Sequence, residues 1–255
     1  MPELLAGKTA LILGVANKWS LAYAIAQAFR REGAKLLLTY QGERQKETVS
    51  DLGSELGAAA VFECDVTREG DLAKLAETVR QHGRLDSLVH SIAFANREDL
   101  TKPFLETSRE GYLLAQDVSA YSLVSAARTV APLMTEGGSV MTLSYLGATR
   151  VVTNYNVMGV AKAALEACVR YLSSDLGPSN IRVNAISAGP VKTASARAVA
   201  GLSKMLETMP TRAPLRRNCT PEEVADTAVF LASDLGRGVT GNVLFVDAGY
   251  QVMGF

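Results

Sequence analysis

The sequence predicts an α/β protein: one Rossmann-type domain with a doubly wound, parallel sheet of seven strands and one long covering loop. Three observations lead to this fold class. Short apolar runs alternate with longer segments of helical periodicity, a pattern typical of strands that are buried on both faces. Helical connections of this length join parallel strands by right-handed crossovers. No linker, repeat or low-complexity tract interrupts residues 1–255, so a single domain is predicted.

The apolar runs and the helical periodicity place the elements along the chain. Strands are predicted at residues 8–14, 34–40, 59–66, 85–94, 138–145, 180–189 and 241–249. Helices are predicted at 20–34, 43–57, 69–83, 108–134, within 144–172, and at 220–234. The last helix begins with a capping box, because Thr220 is followed by Pro221 at the first helical position and by Glu223 at the third.

Composition excludes several classes of function. Lys and Arg together number 26, as do Asp and Glu, and the net charge of zero gives no reason to expect binding to nucleic acid or to an anionic membrane. No apolar run approaches the roughly 20 residues that span a bilayer. The three cysteines are scattered, which predicts free thiols and a cytoplasmic protein. With two histidines, no metal site is predicted.

Residues 190–219 form the longest connection and are rich in Ala, Ser and Thr. Long connections in compact domains are usually lids or mobile loops. This one follows the sixth strand, on the side where open sheets bind ligands, so a substrate lid is predicted rather than a surface helical insertion. Its apolar residues fall largely on one helical face that can line a groove for an acyl chain: Ala194, Ala198, Ala200, Leu202, Met205 and Leu206.

The first strand-to-helix turn contains a reduced form of the dinucleotide-binding glycine pattern. Gly14 is the only glycine in it, although Ala16, Ser20 and Ala22 keep the turn small. Gly14 allows a tight turn, and Ser20 can cap the following helix while bonding a phosphate oxygen. An ordinary turn capped by serine would look the same, so this turn alone decides nothing.

The second strand ends in Gln41. An acidic residue here usually binds the ribose hydroxyls of NAD, whereas a basic residue accommodates the 2′-phosphate of NADP. Gln41 can bond ribose hydroxyls but cannot neutralise a phosphate. Arg44 follows three residues later and could do so. The sequence therefore favours NADH and leaves NADPH as the less favoured alternative.

Two further strand ends carry candidate cofactor contacts. Asp65 and the backbone of Val66 could bond the adenine edge, although a solvated strand-end aspartate would give the same sequence. After the fourth strand, Ser91 and Ala93 are small enough for ribose and nicotinamide to lie against the backbone.

A lysine and a displaced tyrosine suggest the chemistry. Tyr155 precedes Lys162 by seven residues, and Met158 stands where the spacing of four would put a proton donor. On a continuous helix Tyr155 and Lys162 share a face with an axial offset of about 10 Å, against about 6 Å for a spacing of four. When a conjugated C=C bond is reduced, hydride adds to Cβ and charge develops on the carbonyl oxygen, farther away. The displaced phenol suits that oxygen.

These segments closely resemble bacterial enoyl-acyl-carrier-protein reductases, a divergent branch of the short-chain dehydrogenase superfamily. The similarity runs in order through GVANKWSLA, YQGER, CDV, HSIAFA, LSYLGA, YNVMGVAK and RVNAISAGPVKTAS. It implies a homotetramer that uses NADH to reduce trans-2-enoyl thioesters of acyl-carrier protein in fatty-acid elongation. It also implies that Tyr155 stabilises the enolate, that Lys162 holds the nicotinamide ribose, and that Tyr145 lines the substrate cavity near Ala95.

The same resemblance implies the cofactor contacts, with Thr193 on the pyrophosphate. Together with the strand-end candidates, the predicted set is Gly14, Ser20, Leu21, Gln41, Asp65, Val66, Ser91, Ile92, Lys162, Val191, Lys192, Thr193, Ala194 and Ser195.

Three other functions are compatible with the fold. A carbonyl or alcohol dehydrogenase would need a proton donor where Met158 stands. A non-catalytic dinucleotide sensor or a scaffold would have no need of both Tyr155 and Lys162. Tyr145 could be a packed strand-end aromatic and Lys162 a surface lysine, but their combination with Tyr155 favours the reductase.

Overall fold

In the computed structural model, which describes residues 3–191, 193 and 201–254, seven parallel strands form one sheet. Its order is β3-β2-β1-β4-β5-β6-β7, and the fold is the predicted single-domain Rossmann type. The strands are β1 (Thr9–Leu13), β2 (Lys35–Tyr40), β3 (Ala60–Glu63), β4 (Ser87–His90), β5 (Gly138–Ser144), β6 (Ile181–Ala188) and β7 (Val243–Val246).

Helices connect the strands, and the described part of the chain contains these: α1 (Leu21–Arg31), α2 (Glu43–Leu56), α3 (Glu69–Gln81), α4 (Arg97–Thr101), α5 (Arg109–Gln116), α6 (Ser122–Val130), α7 (Asn156–Leu176), α8 (Leu202–Arg212) and α9 (Pro221–Ala232). No described helix is long and apolar enough to cross a membrane. The predicted capping box of α9 is confirmed: the Thr220 hydroxyl accepts from the Glu223 N–H, and the Glu223 carboxylate accepts from the Thr220 N–H.

The helices cover both faces of the sheet. Buried side chains of α1, α2 and α9 pack on one face, and those of α3, α6 and α7 pack on the other. β1 lies between β2 and β4, so the direction of winding reverses beside β1. Open parallel sheets bind ligands beyond the carboxyl ends of the strands at such a point.

The single helix predicted at 108–134 is wrong in detail. α5 and α6 are joined by one π-helical turn, Asp117–Tyr121. Within this turn the Ser119 hydroxyl is bonded to the backbone N–H and C=O of Phe94. This pair of bonds attaches the widened turn to the loop after β4, and such turns often accompany functional sites. At the start of α6, the Ser122 hydroxyl donates to the Val118 carbonyl of the turn at 2.6 Å.

The helix that was predicted to include Tyr155 begins one residue later, at Asn156. Tyr155 is its N-cap residue, with φ −107° and ψ −30°. The Asn156 side-chain amide donates to the carbonyls of Leu100 at 3.0 Å and Lys102 at 2.7 Å, and Asn156 takes a positive φ of 35°. This bend separates Tyr155 from the helical path, so the axial offset calculated for a continuous helix does not apply.

Two further predictions differ from the structure in extent. β4 ends at His90, four residues before the predicted end, and the chain then leaves the sheet to line the site. The predicted lid is described only in part. α8 lies within it, whereas residues 192 and 194–200 and the side chain of Leu202 are outside the described residues, so the lid stays a prediction.

Candidate active site

A cavity of about 370 Å³ opens beyond the carboxyl ends of β1, β4, β5 and β6. Four segments form its walls: the turn before α1, the loop after β4, the segment from the end of β5 into α7, and the chain after β6. Of the residues in the predicted set, the following line it: Gly14, Ser20, Leu21, Ser91, Ile92, Ala95, Tyr145, Tyr155, Lys162, Val191 and Thr193. The sequence therefore placed most of its candidates in one cavity.

Gly14 brings the first turn against the loop after β4. It has a φ of +91°, and a Cβ there would lie 2.1 Å from the backbone oxygen of Ser91. Only glycine tolerates both conditions. Next to it the Ser20 hydroxyl caps α1 by accepting from the Tyr23 N–H at 3.2 Å. A helix N-terminus beside a turn this compact suits the phosphates of a dinucleotide, so these residues fit the predicted cofactor.

Gln41, Asp65 and Val66 lie at the ends of β2 and β3, outside the walls of this cavity. Gln41 is exposed, and its side chain bonds the carboxylate of Asp65. Partial burial alone would raise the pKa of Asp65, but hydrogen bonds from Thr67 and Gln41 and the charge of Arg68 hold it below its ordinary value. Val66 is buried in the core, which leaves its backbone for contact with a ligand.

Tyr145 and Tyr155 meet in the cavity. Their ring centroids are 4.9 Å apart and their planes are inclined by 66°, an edge-to-face contact. Burial, followed by the neighbouring Tyr145, raises the pKa of Tyr155 far above its ordinary value. Burial raises the pKa of Tyr145 to about 12. Both phenols are therefore protonated at neutral pH and able to donate hydrogen bonds.

Gly147 supports the ring of Tyr155. A Cβ on Gly147 would lie 2.4 Å from Cδ1 of Tyr155, closer than two carbon atoms can approach. The ring thus packs directly on the backbone of the turn that follows β5. Sequence reasoning did not find this contact, although LSYLGA contains the glycine.

Lys162 is buried at the base of the cavity, where its Nζ donates to the Leu143 carbonyl at 2.7 Å. The ammonium group has three donors, so two remain for a ligand. Burial lowers the pKa of Lys162 to about 8, while the carboxylate of Glu166 acts in the opposite direction. A surface lysine, the alternative reading of the sequence, is excluded by this burial.

Met158 also lines the cavity. It lies one helical turn from Lys162 on α7 and is buried against Val157, Ala161 and the ring of Tyr155. A thioether cannot donate a proton. The position that a ketone reductase would use for its acid therefore faces the cavity but has no acid.

His90 lies beneath the cavity at the end of β4, completely buried. Its Nε2 is 2.8 Å from the Ser122 hydroxyl, and its Nδ1 is 3.0 Å from that of Thr142. The Ser122 hydroxyl also donates to the Val118 carbonyl, and the Thr142 hydroxyl donates to the backbone carbonyl of His90 itself. Burial, and then the charge of Lys162, lower the pKa of His90 to about 3, so the ring is neutral.

Met205 of α8 was expected in the lid, and it reaches the site. It lines the cavity, and its Sδ accepts from the Tyr145 hydroxyl at 3.7 Å. Three members of the predicted set, Lys192, Ala194 and Ser195, are outside the described residues, and their roles stay predictions. Among the residues that the structure describes, no cluster of His, Cys, Asp and Glu could hold a metal ion.

Comparison with known proteins assigns the family. The model of the enoyl-(acyl carrier protein) reductase family matches residues 14–251. The chain belongs to this family. Its relatives include the enoyl-acyl-carrier-protein reductase (NADH) FabI of Bacillus cereus, which is 53% identical over 99% of this chain and 100% of the relative.

One further relative and one solved structure bear on the cofactor. The Staphylococcus aureus reductase, named for NADPH, is 48% identical over 98% of this chain and 98% of its own length. A crystal structure of the Bacillus cereus reductase with NADP⁺ and indole naphthyridinone superposes with a TM-score of 0.98, at 53% identity, over 99% of this chain and 100% of that one. Relatives of this enzyme thus include proteins associated with either nicotinamide cofactor.

Proposed function

We propose that this reductase converts trans-2-enoyl thioesters of acyl-carrier protein to saturated acyl thioesters with NADH, the last reductive step of each cycle of fatty-acid elongation. The observation that carries the proposal is the pairing of a protonated Tyr155 with Lys162 in a cavity where Met158 takes the place of a ketone reductase's acid. Membership of the family supports the same reaction.

When bound, NADH supplies the hydride that adds to Cβ of the substrate. Tyr155 then acts on the thioester oxygen, where negative charge develops, by donating a hydrogen bond from its hydroxyl. Because the pKa of Tyr155 is raised, first by burial and then by Tyr145, the phenol keeps its proton and acts as an oxyanion donor. Protonation of Cα completes the saturated thioester.

Tyr145 packs against the ring of Tyr155 in the edge-to-face contact. Its own hydroxyl is bonded to the Met205 sulfur at 3.7 Å, and a thioether is a weak acceptor. A substrate oxygen is a better acceptor, so binding of the thioester would release Met205 from Tyr145. Tyr145 therefore orients the catalytic phenol and changes its partner when the substrate enters.

The cofactor would be held by residues from several strand ends. Lys162 would bond the nicotinamide ribose with its two remaining donors, Ser20 and Thr193 would face the pyrophosphate, and Gln41 with Asp65 would meet the adenosine end. Small residues support this fit by leaving room along the backbone, above all Gly14 and Ala93. Lys192, Ala194 and Ser195 complete the set as predictions.

We infer a preference for NADH over NADPH. Gln41 is uncharged and already bonded to Asp65, and a carboxylate at this place repels a 2′-phosphate. Steady-state kinetics with both cofactors test the preference, and a higher kcat/KM with NADPH would contradict it and point to Arg44.

The substrate chain would lie along the apolar part of the cavity, between Phe94, Leu100 and Met205. Each methylene that is buried contributes about 0.8 kcal/mol, so affinity should rise with acyl length until the groove is filled. A series of enoyl thioesters of increasing length tests this, and a constant KM along the series would contradict the groove.

A homotetramer fits the exposed apolar side chains of the subunit, several of which lie around α5, α7 and the segment before α7: Leu105, Leu113, Tyr121, Val151 and Tyr171. A monomer would leave these side chains in water, whereas contacts between subunits would cover them. Light scattering at micromolar concentration tests the prediction, and a stable monomer would contradict it. A cytoplasmic location, expected from the free cysteines Cys64, Cys168 and Cys219, stays a prediction.

The decisive experiment compares trans-2-enoyl and β-ketoacyl thioesters with NADH, side by side. We expect the enoyl compound to be reduced and the β-keto compound to be left unchanged, because Met158 has no proton to give. Faster turnover of the β-keto compound would contradict the proposed reaction and indicate a carbonyl reductase instead.

A further inference from the structure

The end of β5 is joined to α7 by two side-chain contacts, one turn apart on the helix. The Lys162 ammonium donates to the Leu143 carbonyl at 2.7 Å. The Ser144 hydroxyl donates to Oε1 of Glu166 at 2.5 Å. Tyr145 follows Ser144 directly, so the second contact fixes the backbone from which the cavity tyrosine projects.

Glu166 is almost completely buried, with 7% of its surface exposed. An ionised carboxylate is costly in such a place unless charges and hydrogen bonds satisfy it. Burial raises the pKa of Glu166, and the Ser144 hydroxyl and the charges of Arg170 and Lys162 oppose that rise. The carboxylate is therefore held by partners from both the strand and the helix.

The charge of Glu166 acts on Lys162, its neighbour one turn earlier on α7. In the described part of the chain, His90 on β4 and the two cavity tyrosines also lie near this lysine. All three are neutral at physiological pH, because burial lowers the pKa of His90 to about 3 and raises the pKa of both tyrosines. Glu166 supplies the negative charge that favours the ammonium form of Lys162.

We propose that Glu166 is a positioning residue for both halves of the active site: its carboxylate fixes Tyr145 through Ser144 and keeps the ammonium of Lys162 charged for the cofactor ribose. This inference rests on the proposed function, in which Lys162 binds the cofactor. The inference adds a role for Glu166, which does not itself line the cavity.

Two variants separate the contributions of Glu166. Glu166→Gln keeps an oxygen that can accept from Ser144 but removes the charge. Ser144→Ala removes the hydrogen bond but keeps the charge. Asp175→Asn is the matched control, since it makes the same carboxylate-to-amide change at an exposed position of the same helix.

The measurement is the dissociation constant of NADH between pH 6 and 9.5, together with kcat for an enoyl thioester. In the wild type we expect affinity to fall as pH rises through about 8, when Lys162 loses its proton. Glu166→Gln should move that midpoint to lower pH by about one unit, the size expected from the loss of a nearby opposite charge. Ser144→Ala should keep the midpoint and lower kcat, and Asp175→Asn should change neither.

An unchanged midpoint in Glu166→Gln, or an equal shift in Asp175→Asn, would overturn the electrostatic part of the proposal. If Glu166→Gln fails to fold, Ser144→Ala decides, and an unchanged kcat in that variant overturns the positioning of Tyr145. A wild type that lacks enoyl reduction altogether would instead reject the proposed function, so the two failures are distinguishable.

Discussion

The rings of Tyr145 and Tyr155 meet in an edge-to-face contact, with 4.9 Å between centroids and 66° between planes. Tyr145 follows β5 and Tyr155 precedes α7, so the contact links the two elements whose ends form the centre of the site. It also limits rotation of the Tyr155 ring, which a hydrogen-bond donor to a developing oxyanion requires.

Tyr155→Phe should abolish most of the activity while leaving the fold intact. Loss of one oxyanion donor lowers kcat by about 10²–10³ in other enzymes, and the edge-to-face packing is kept by phenylalanine. Turnover of an enoyl thioester, NADH titration and a thermal melt measure the three effects. Tyr171→Phe, at a tyrosine of α7 that does not line the cavity, is the control and should keep full activity. Full activity in Tyr155→Phe would reject the catalytic role of this hydroxyl.

Gly147→Ala should impair catalysis by moving the ring of Tyr155. The new Cβ would lie 2.4 Å from Cδ1 of the ring, so the ring must shift, and misplacement of a catalytic group by about 1 Å can cost about 10²-fold in rate. The comparison variant is Gly70→Ala in α3, where a Cβ meets nothing within 4 Å. Gly70→Ala should keep full activity. If Gly147→Ala is equally active, the backbone of the turn after β5 moves to accommodate the new Cβ and the ring of Tyr155 stays in place.

His90 should make the stability of the protein depend on pH in the acidic range. Its pKa is about 3 in the folded chain, against 6.5 for an ordinary histidine. Between these values protons bind the unfolded chain and not the native one, so the free energy of unfolding falls as pH is lowered, by about 1.4 kcal/mol per unit. Urea unfolding from pH 6.5 to 4.5, at fixed protein concentration, measures this slope.

Substitution of His90 tests this assignment. His90→Asn should reduce the slope. The slope, and not the absolute stability, is the quantity compared, because any change at a buried site also alters packing. Equal slopes in the wild type and His90→Asn would contradict the assignment.

Trp19 should report cofactor binding. It is the single tryptophan of the chain, it is 55% exposed, and it precedes Ser20 at the proposed pyrophosphate site. NADH absorbs where tryptophan emits, so titration with NADH should quench the tryptophan emission and give sensitised nicotinamide fluorescence. Trp19→Phe should lose this signal while keeping affinity by calorimetry. Unquenched emission at saturating NADH would place the cofactor elsewhere.

The features that the sequence predicted best are those that depend on residues adjacent to one another along the chain. The caps at Ser20 and Thr220 follow from the chemistry of a helix start, and the buried strands follow from continuous apolar runs. The cavity residues on the turn before α1 and on α7 were predicted because each of these two segments has a recognisable local sequence pattern. Their meeting in one cavity follows from the parallel order of the sheet.

Other features depend on contacts between distant segments, and the sequence does not contain them in readable form. Tyr155 stands outside the helix because Asn156 bonds to carbonyls more than 50 residues earlier. The partnership of Ser144 with Glu166 spans 22 residues, and Met205 reaches Tyr145 over 60. The π-helical turn after α5 similarly arises from the fit of Ser119 to Phe94.

α7 begins directly after Tyr155 and carries Lys162 on its second turn. An α-helix rotates by about 100° and advances about 1.5 Å for each residue. Insertion or deletion of one residue between Asn156 and Lys162 would therefore carry the lysine around the helix and away from the cavity, although every side chain type remained present. The interval from Tyr155 to Lys162 should thus tolerate substitutions but not changes of length, and a homologue of different spacing should perform different chemistry.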